Sequence, residues 1–413
     1  MLSIYVVKST YQNKNILYHT VTKKWLPDNC TGQELKNGYF LQGQEKQALH
    51  SVFAENRDCL SLTITPTWEC NLRCKHCSVL NNLKLKDDEV FPVDKLFAFI
   101  EQYIDVYHPK YVTFDFVGGE PLLRPKVCTE IIKRAKSINS IIVTDTTTNL
   151  SIDLDEDCME FFEIIDSINV SIDGNHEQHN SQRIPLLNTL DPYQKTHDNL
   201  EILLDAGHGD KISLKAALKD EFITKETYEE FLRKYAYMGI DINKIKFGCL
   251  HPTEHIKTSY NEMLAFQQSL QQGNPIPVPC CKYRTASVFQ IEPSGAIFDV
   301  PFRWARSQVG TLDQSLSEII AVRQQMIEES FVCFQDPKCM ECPVIGYCWG
   351  GCVNGQPLHK GRPSDYCNQK RLQERVMKMA EDGEIVHHTE RQRPANILDL
   401  TLGKRIPLEC VNR

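Results

Sequence analysis

Three cysteines fall within one short stretch, Cys70-Asn71-Leu72-Arg73-Cys74-Lys75-His76-Cys77. Thiolates so spaced can grip three irons of an iron–sulfur cube and leave the fourth iron open. An open iron can take a substrate or cofactor, whereas a site closed by four thiolates chiefly stores or passes electrons. Structural zinc is the plainer alternative. It usually asks for four protein ligands, and His76 would have to fold back beside its neighbour Cys77 to complete them. A second dense group, Cys333, Cys339, Cys342, Cys348, Cys352 and Cys367, lies toward the C-terminus, with the adjacent pair Cys280 and Cys281 ahead of it. Cys30, Cys59, Cys128, Cys158, Cys249 and Cys410 are scattered and are expected to pack as small apolar residues. The opening stretch, Met1 to Lys8, lacks the apolar centre and cleavage site of a signal peptide. The 17 cysteines are therefore expected in a reducing cytoplasm, binding metal rather than pairing as disulfides.

The elements that must position these thiols follow from periodicity. A chain of 413 residues, 41% hydrophobic, is enough for a barrel-sized domain and a smaller companion. A formal charge of -8 argues against a nucleic-acid partner bound by neutralising phosphates. No apolar run approaches the roughly 18 residues of a membrane span. Residues 1–58 alternate β-type runs (3–7, 16–18) with polar turns and end in a helical stretch, 44–52. Strand patterns then fall at 60–65, 111–117, 141–146, 168–172, 212–218 and 245–250. Amphipathic helical patterns separate them at 93–106, 126–137, 156–165, 196–205 and 224–238. Single-helix crossovers imply parallel neighbours. Six such units make an α/β fold, a partial (β/α)6 TIM-like barrel, over residues 59–255. Residues 256–383 form a cysteine-rich region with helices expected at 259–271, 316–328 and 368–381, and residues 384–413 form a tail. The trio directly follows the first barrel strand, at the strand end where such folds place active sites.

The trio's spacing resembles the signature of the radical S-adenosylmethionine (SAM) enzymes. Its company follows the same order along the chain. Gly118, Gly119, Glu120 and Pro121, after the second strand, are similar to the family's glycine-rich segment, which holds the SAM amino group. Glycines there let backbone carbonyls approach an ammonium. Thr147-Thr148-Asn149 after the third strand and Ser171-Ile172-Asp173-Gly174 at the end of the fourth resemble the SAM-contacting segments. Arg183 matches an arginine that pairs with the SAM carboxylate, work suited to a planar guanidinium. The resemblance implies a 4Fe-4S cluster with an open iron on Cys70, Cys74 and Cys77, and SAM held by Gly118, Gly119, Glu120, Pro121, Asn149, Ser171, Asp173 and Arg183.

The C-terminal cysteines resemble the auxiliary-cluster domain called SPASM, which implies one or two further 4Fe-4S clusters. By that pattern Cys339, Cys342, Cys348 and Cys367 bind one cluster, and Cys352 crosses to another that Cys281 joins. The pattern also asks for a cysteine where Val300 stands, five positions past Gly295. Cys280 or Cys333 substitutes for it, or the site has three thiolates, or it holds no cluster. SPASM proteins mostly act on peptides. The chain is most similar to maturases of ribosomally made peptides, which implies a precursor peptide with a leader as partner and a flavodoxin or ferredoxin as reductant. The N-terminal segment fits either a leader-binding strand platform or a cap on the barrel. Cyclophane-type carbon–carbon or ether crosslinking is the expected chemistry. Anaerobic sulfatase (formylglycine) maturase is the alternative enzyme, but that family carries a base Asp where Pro301 stands. A non-catalytic iron–sulfur electron carrier would have no use for the segments around Gly118 and Asp173.

Overall fold

Strands buried on both faces ordinarily read as unbroken apolar runs, but the barrel strands of this chain alternate apolar and polar residues. The computed structural model shows what that alternation does. It describes residues 1–52, 59–77, 79–218, 225–241, 244–249, 287–299, 308–330 and 336–348, with Glu374 and Lys378. Six strands, β4 (Cys59–Ile64), β6 (Tyr111–Phe116), β7 (Ile141–Thr148), β8 (Ser167–Ser171), β10 (Ile212–Leu218) and β11 (Ile245–Cys249), lie side by side in chain order and all parallel. The helices α3 (Val93–Tyr107), α4 (Pro125–Ala135), α5 (Glu156–Ile164), α7 (Pro192–Asp205) and α8 (Lys225–Tyr237) are the crossovers, with the short α6 (His176–Gln182) ahead of α7. This is the partial barrel that the periodicity implies.

One face of the sheet supplies Leu60, Leu62, Val112, Phe114, Ile168 and Val170 to a core shared with those helices. The register puts Ser61 beside Thr113, Asp115 beside Asp145, and Asn169 beside Ser213, all on the other face. The interior side is therefore polar, and Asn169 Oδ1 and Thr63 Oγ1 are buried there without protein partners. An all-apolar interior would pack shut; a polar one suits a site.

Most helices match their sequence patterns closely. Helix α7 starts four residues earlier than its periodicity suggests, because Asp191 caps it by accepting the Gln194 N–H at 3.0 Å and Pro192 takes the first turn. The N-terminal segment forms a three-stranded sheet of β1 (Val6–Tyr11), β2 (Lys14–His19) and β3 (Trp25–Pro27), followed by α1 (Gly32–Asn37) and α2 (Glu45–Val52). The first strand is shifted from the expected 3–7. Gln12 and Asn13 both take positive φ, making the tight turn that pairs Tyr11 with Lys14 and so sets the register.

Three strands form within 287–311, where none is expected from the sequence. β12 (Ser287–Ile291) adds in parallel to the free side of β4, and the hairpin β13 (Ala296–Phe298) and β14 (Gln308–Thr311) extends it. Gly295, with φ +81°, closes the β12–β13 turn. The expected helix at 316–328 is the helix Leu316–Ser330. The one expected at 259–271 lies outside the described residues, and that at 368–381 almost wholly so. The scattered Cys59, Cys128 and Cys158 are buried as expected of packing residues, whereas Cys30 is half-exposed. Among the described residues no helix is long and apolar enough to cross a membrane.

Candidate SAM and iron–sulfur site

The cysteine loop leaves β4 and is braced before it reaches the thiols. Asp87, buried, accepts the Trp68 N–H at 2.8 Å and the Thr67 hydroxyl at 3.2 Å, while Lys84 pairs with its other oxygen at 2.9 Å. The carboxyl of Asp87 is held below its usual range by these partners against the opposing effect of burial. The loop then forms a short strand, β5 (Leu72–Cys74), antiparallel to β9 (Arg183–Pro185), which sets Cys74 directly opposite Arg183.

Cys70 is buried, and Cys74 and Cys77 are half-buried. Burial pushes the Cys70 thiol up to about 12 and the Cys74 thiol up to about 11, the latter against the pull of the Arg183 guanidinium. Cys77 is raised for the same reason. Buried thiols at this density want a cationic partner, and a bound metal centre deprotonates them outright. Asn149 Nδ2 and Arg183 Nη1 each lie 3.9 Å from a sulfur, of Cys70 and Cys74 respectively, where they would steady negative charge. His76 Nδ1 is buried with no protein partner. Among the described residues no three His, Cys, Asp or Glu side chains are placed to hold a single metal ion. A four-iron cube takes one thiolate per iron, and a buried thiol with two half-buried ones, two of them faced by N–H donors at 3.9 Å, suits such a cluster.

The glycines bring the second strand's loop onto the cysteine loop. Gly118 has φ +128°, open in practice only to glycine, and a Cβ on Gly119 would fall on the Glu69 carbonyl oxygen. Gly119 N–H donates to the Thr67 carbonyl at 3.0 Å, and Glu120 N–H to that of Glu69 at 2.8 Å. Pro121 opens a single 3-10 turn, Pro121–Leu123. The carboxylate of Glu120 is fully buried and turns inward. It accepts the Thr148 hydroxyl at 2.6 Å, the Asn149 N–H at 2.8 Å and the Leu122 N–H at 3.1 Å. Burial raises its pKa despite these donors. The structure thus gives Glu120 the work of joining the loops after β6 and β7.

Asn149 is wired to the cysteine loop as well, donating to Asn71 Oδ1 at 2.9 Å and accepting the Ser151 N–H at 2.8 Å. Ser171, buried, ends β8 beside Lys215. Asp173 and Arg183 meet each other. Nε donates to Oδ2 at 2.7 Å and Nη2 to Oδ1 at 3.1 Å, which leaves Nη1 directed at Cys74. Asp173 also accepts the Ala217 N–H at 2.8 Å and stands 3.7 Å from His76 Nε2. The arrangement makes Arg183 a bridge from β8 to the cysteine loop, where the family likeness implied a partner for the SAM carboxylate. Three participants were not singled out from sequence. His179 Nδ1 accepts the Asp173 N–H at 3.2 Å, Thr196 donates to the Asn149 carbonyl at 2.9 Å, and Lys215 reaches Thr147 Oγ1 at 3.1 Å. The Thr196 and Lys215 pairings span distant segments with no local signature, whereas His179 lies only six residues beyond Asp173.

Of the C-terminal cysteines, Cys339 and Cys342 are buried one turn apart, with the Cys342 N–H donating to the Cys339 carbonyl at 3.1 Å, and the helical turn Ile345–Cys348 follows. Cys280, Cys281, Cys352, Cys367 and Val300 lie outside the described residues.

The 4Fe-4S single cluster domain family matches residues 64–189, the stretch that carries the trio, the glycines, Asn149, Asp173 and Arg183. The serine-type anaerobic sulfatase-maturating enzyme of Bacteroides thetaiotaomicron is 34% identical over 124 residues, 28% of this chain and 29% of that protein. A GTP 3′,8-cyclase of Synechocystis is 26% identical over 229 residues, 54% of this chain and 66% of that one. The protein YfkA of Bacillus subtilis is 30% identical over 99 residues, 23% of this chain and 25% of that one. This chain therefore aligns with only about a quarter to two thirds of the length of these relatives. Among solved structures, anSMEcpe with bound AdoMet and a Cp18Cys peptide has a similar fold. Its TM-score is 0.51 at 18% identity, covering 71% of this chain and 89% of that one.

Proposed function

We propose that this chain, a radical SAM protein by its fold and by its 4Fe-4S segment, is a peptide maturase that closes an oxidative crosslink within a precursor peptide. The observation that carries the reading is the gathering of the thiol trio, the Gly118–Gly119 turn, Asn149 and the Asp173–Arg183 pair at neighbouring strand ends. An open-iron cluster with SAM supplies a 5′-deoxyadenosyl radical that can take hydrogen from unactivated carbon. The chain's own residues hold and enclose it. Cys70, Cys74 and Cys77 would carry the cluster, and the turn at Gly118–Gly119 would present backbone oxygen to the SAM ammonium. Asn149, Ser171 and Asp173 line the approach from the polar interior. Arg183, anchored by Asp173, places positive charge at the Cys74 sulfur.

Two features favour a peptide as substrate. The N-terminal sheet β1–β2–β3 has an edge strand, β3, with exposed Trp25 packed on Tyr11, a surface to which an extended leader could add. The buried pair Cys339 and Cys342 begins the SPASM-like cysteine pattern, whose cluster would accept the electron released as a substrate radical closes a bond. A flavodoxin or ferredoxin would return electrons to the first cluster. The preferred product is a cyclophane-type carbon–carbon or ether link.

Co-expression with the precursor peptide, followed by mass spectrometry, tests the reading. A product lighter by two hydrogens whose fragmentation shows two residues joined, with no aldehyde to trap, supports it. Formylglycine would move the assignment to a sulfatase maturase, the reading that the 34% identity to such an enzyme favours. An epimerised peptide of unchanged mass would refute both.

A further inference from the structure

Two segments far apart in the chain meet outside the barrel. Tyr5 donates its hydroxyl to the Met340 carbonyl, and Thr20 Oγ1 donates to the Pro343 carbonyl at 2.6 Å, across 335 and 323 residues of chain. Both donors are fully buried. A Cβ on Gly346 would fall on the Thr20 carbonyl oxygen, so the two backbones are in direct contact there. Met340 and Pro343 flank Cys342, with Cys339 one residue ahead of them. The N-terminal segment thus grips the cysteine-bearing backbone on both sides of Cys342.

Among the described residues that stretch has little regular structure of its own. It consists of two four-residue helical turns, Pro337–Met340 and Ile345–Cys348, and isolated turns of that length are unstable in water. Its buried Val344 and Ile345 stand apart from the barrel's core cluster. The opposing surface, by contrast, is well fixed. His19 Nδ1 accepts the Val21 and Thr22 N–H groups at 3.3 and 3.1 Å, and the His19 N–H donates to the Lys24 carbonyl at 2.9 Å. Thr20 is presented on a turn that is already closed.

We infer that the N-terminal sheet is one wall of the auxiliary-cluster site, with Tyr5 and Thr20 as positioning residues for Cys339 and Cys342. The inference rests on reading those two cysteines as cluster ligands and is independent of the bond that the enzyme forms. A platform for the leader and a wall of the cluster site would then be one body.

The test uses the full chain with Cys70→Ala, Cys74→Ala and Cys77→Ala, so that bound iron and the EPR spectrum of the reduced protein report the C-terminal cysteines alone. Tyr5→Phe and Thr20→Val each remove one hydroxyl and keep the packing volume. Gly346→Ala inserts the missing Cβ; alanine favours a helical turn over glycine, so any loss reads the N-terminal contact. Each variant is expected to bind less iron and to shift the EPR signal. In the metal-free protein the amides of Cys342 and Ile345 should exchange about tenfold faster, the scale of one lost buried hydrogen bond, while those of Leu62 and Phe114 in the barrel stay protected. Unchanged iron, spectrum and exchange would overturn the inference. So would an equal loss of protection in the barrel, which is general unfolding. If the parent binds no iron, the cluster reading and this inference both fall. If it binds iron that the variants leave untouched, this inference alone falls.

Discussion

Glu120→Gln separates two roles for a residue that sequence resemblance assigns to SAM. In the structure both carboxylate oxygens accept, Oε1 from Leu122 N–H and the Thr148 hydroxyl, Oε2 from Asn149 N–H. A glutamine offers one accepting oxygen and one NH2. Turned one way, it leaves the Asn149 N–H facing a donor; turned the other, the Leu122 N–H. A buried donor left unsatisfied costs about 1–3 kcal/mol, partly offset because Gln carries no charge to desolvate. The damage should be local. Amide exchange at Leu122 or Asn149 is expected to speed up by about tenfold to a hundredfold, and the urea midpoint should fall. Glu120→Ala, which strands all three donors, should do worse on both. SAM affinity, followed by titration calorimetry on the reconstituted protein, should fall in step with the exchange rates, since Asn149 shifts with the loop. If both variants keep wild-type midpoint and exchange while SAM binding collapses, the carboxylate serves the ligand directly and the reasoning is refuted.

Three further outcomes follow from the geometry. Gly119→Ala should drive its methyl into the Glu69 carbonyl and displace the cysteine loop, so reconstituted protein should hold less iron on the trio while unfolding stays cooperative; full iron content would contradict the close packing. In the metal-free protein, where the Cys74 thiol is protonated, Asp173→Asn should leave the Arg183 guanidinium buried without a countercharge, at a cost of about 3–5 kcal/mol, seen as a lowered melting temperature; an unchanged melt would mean that the pair is not a structural bridge. Burial lowers His19 to about 4. The unfolded chain then binds the extra proton at higher pH, so stability is full above about 6.5 and falls as pH drops toward 4. Between pH 7 and 5 this one residue should remove about 2 kcal/mol, and His19→Asn should show a correspondingly flatter pH dependence in urea titrations; equal slopes would refute the assignment.

The barrel was legible because its strands and crossover helices carry local periods, and a parallel sheet with helical crossovers has few ways to close. Failures fell where a turn rather than a period sets the element. Gln12-Asn13 shifts β1, Asp191-Pro192 lengthens α7, and the Glu292-to-Gly295 turn makes a hairpin that periodicity overlooks. The site was legible as a set of residue types at strand ends. How those residues are joined was not, since Glu120 with Thr148, Arg183 with Cys74, and Thr20 with Pro343 are pairings between distant segments. A motif says which residues gather; only the folded chain says that Arg183 faces Asp173 and Cys74.

The most direct measurement is SAM cleavage by anaerobically reconstituted, reduced protein. 5′-Deoxyadenosine and methionine are expected from the parent chain and none from Cys74→Ala, whose cluster would lose a thiolate. A parent that neither binds nor cleaves SAM, or a Cys74→Ala protein that cleaves it at the parent rate, would overturn the assignment of the trio as cluster ligands.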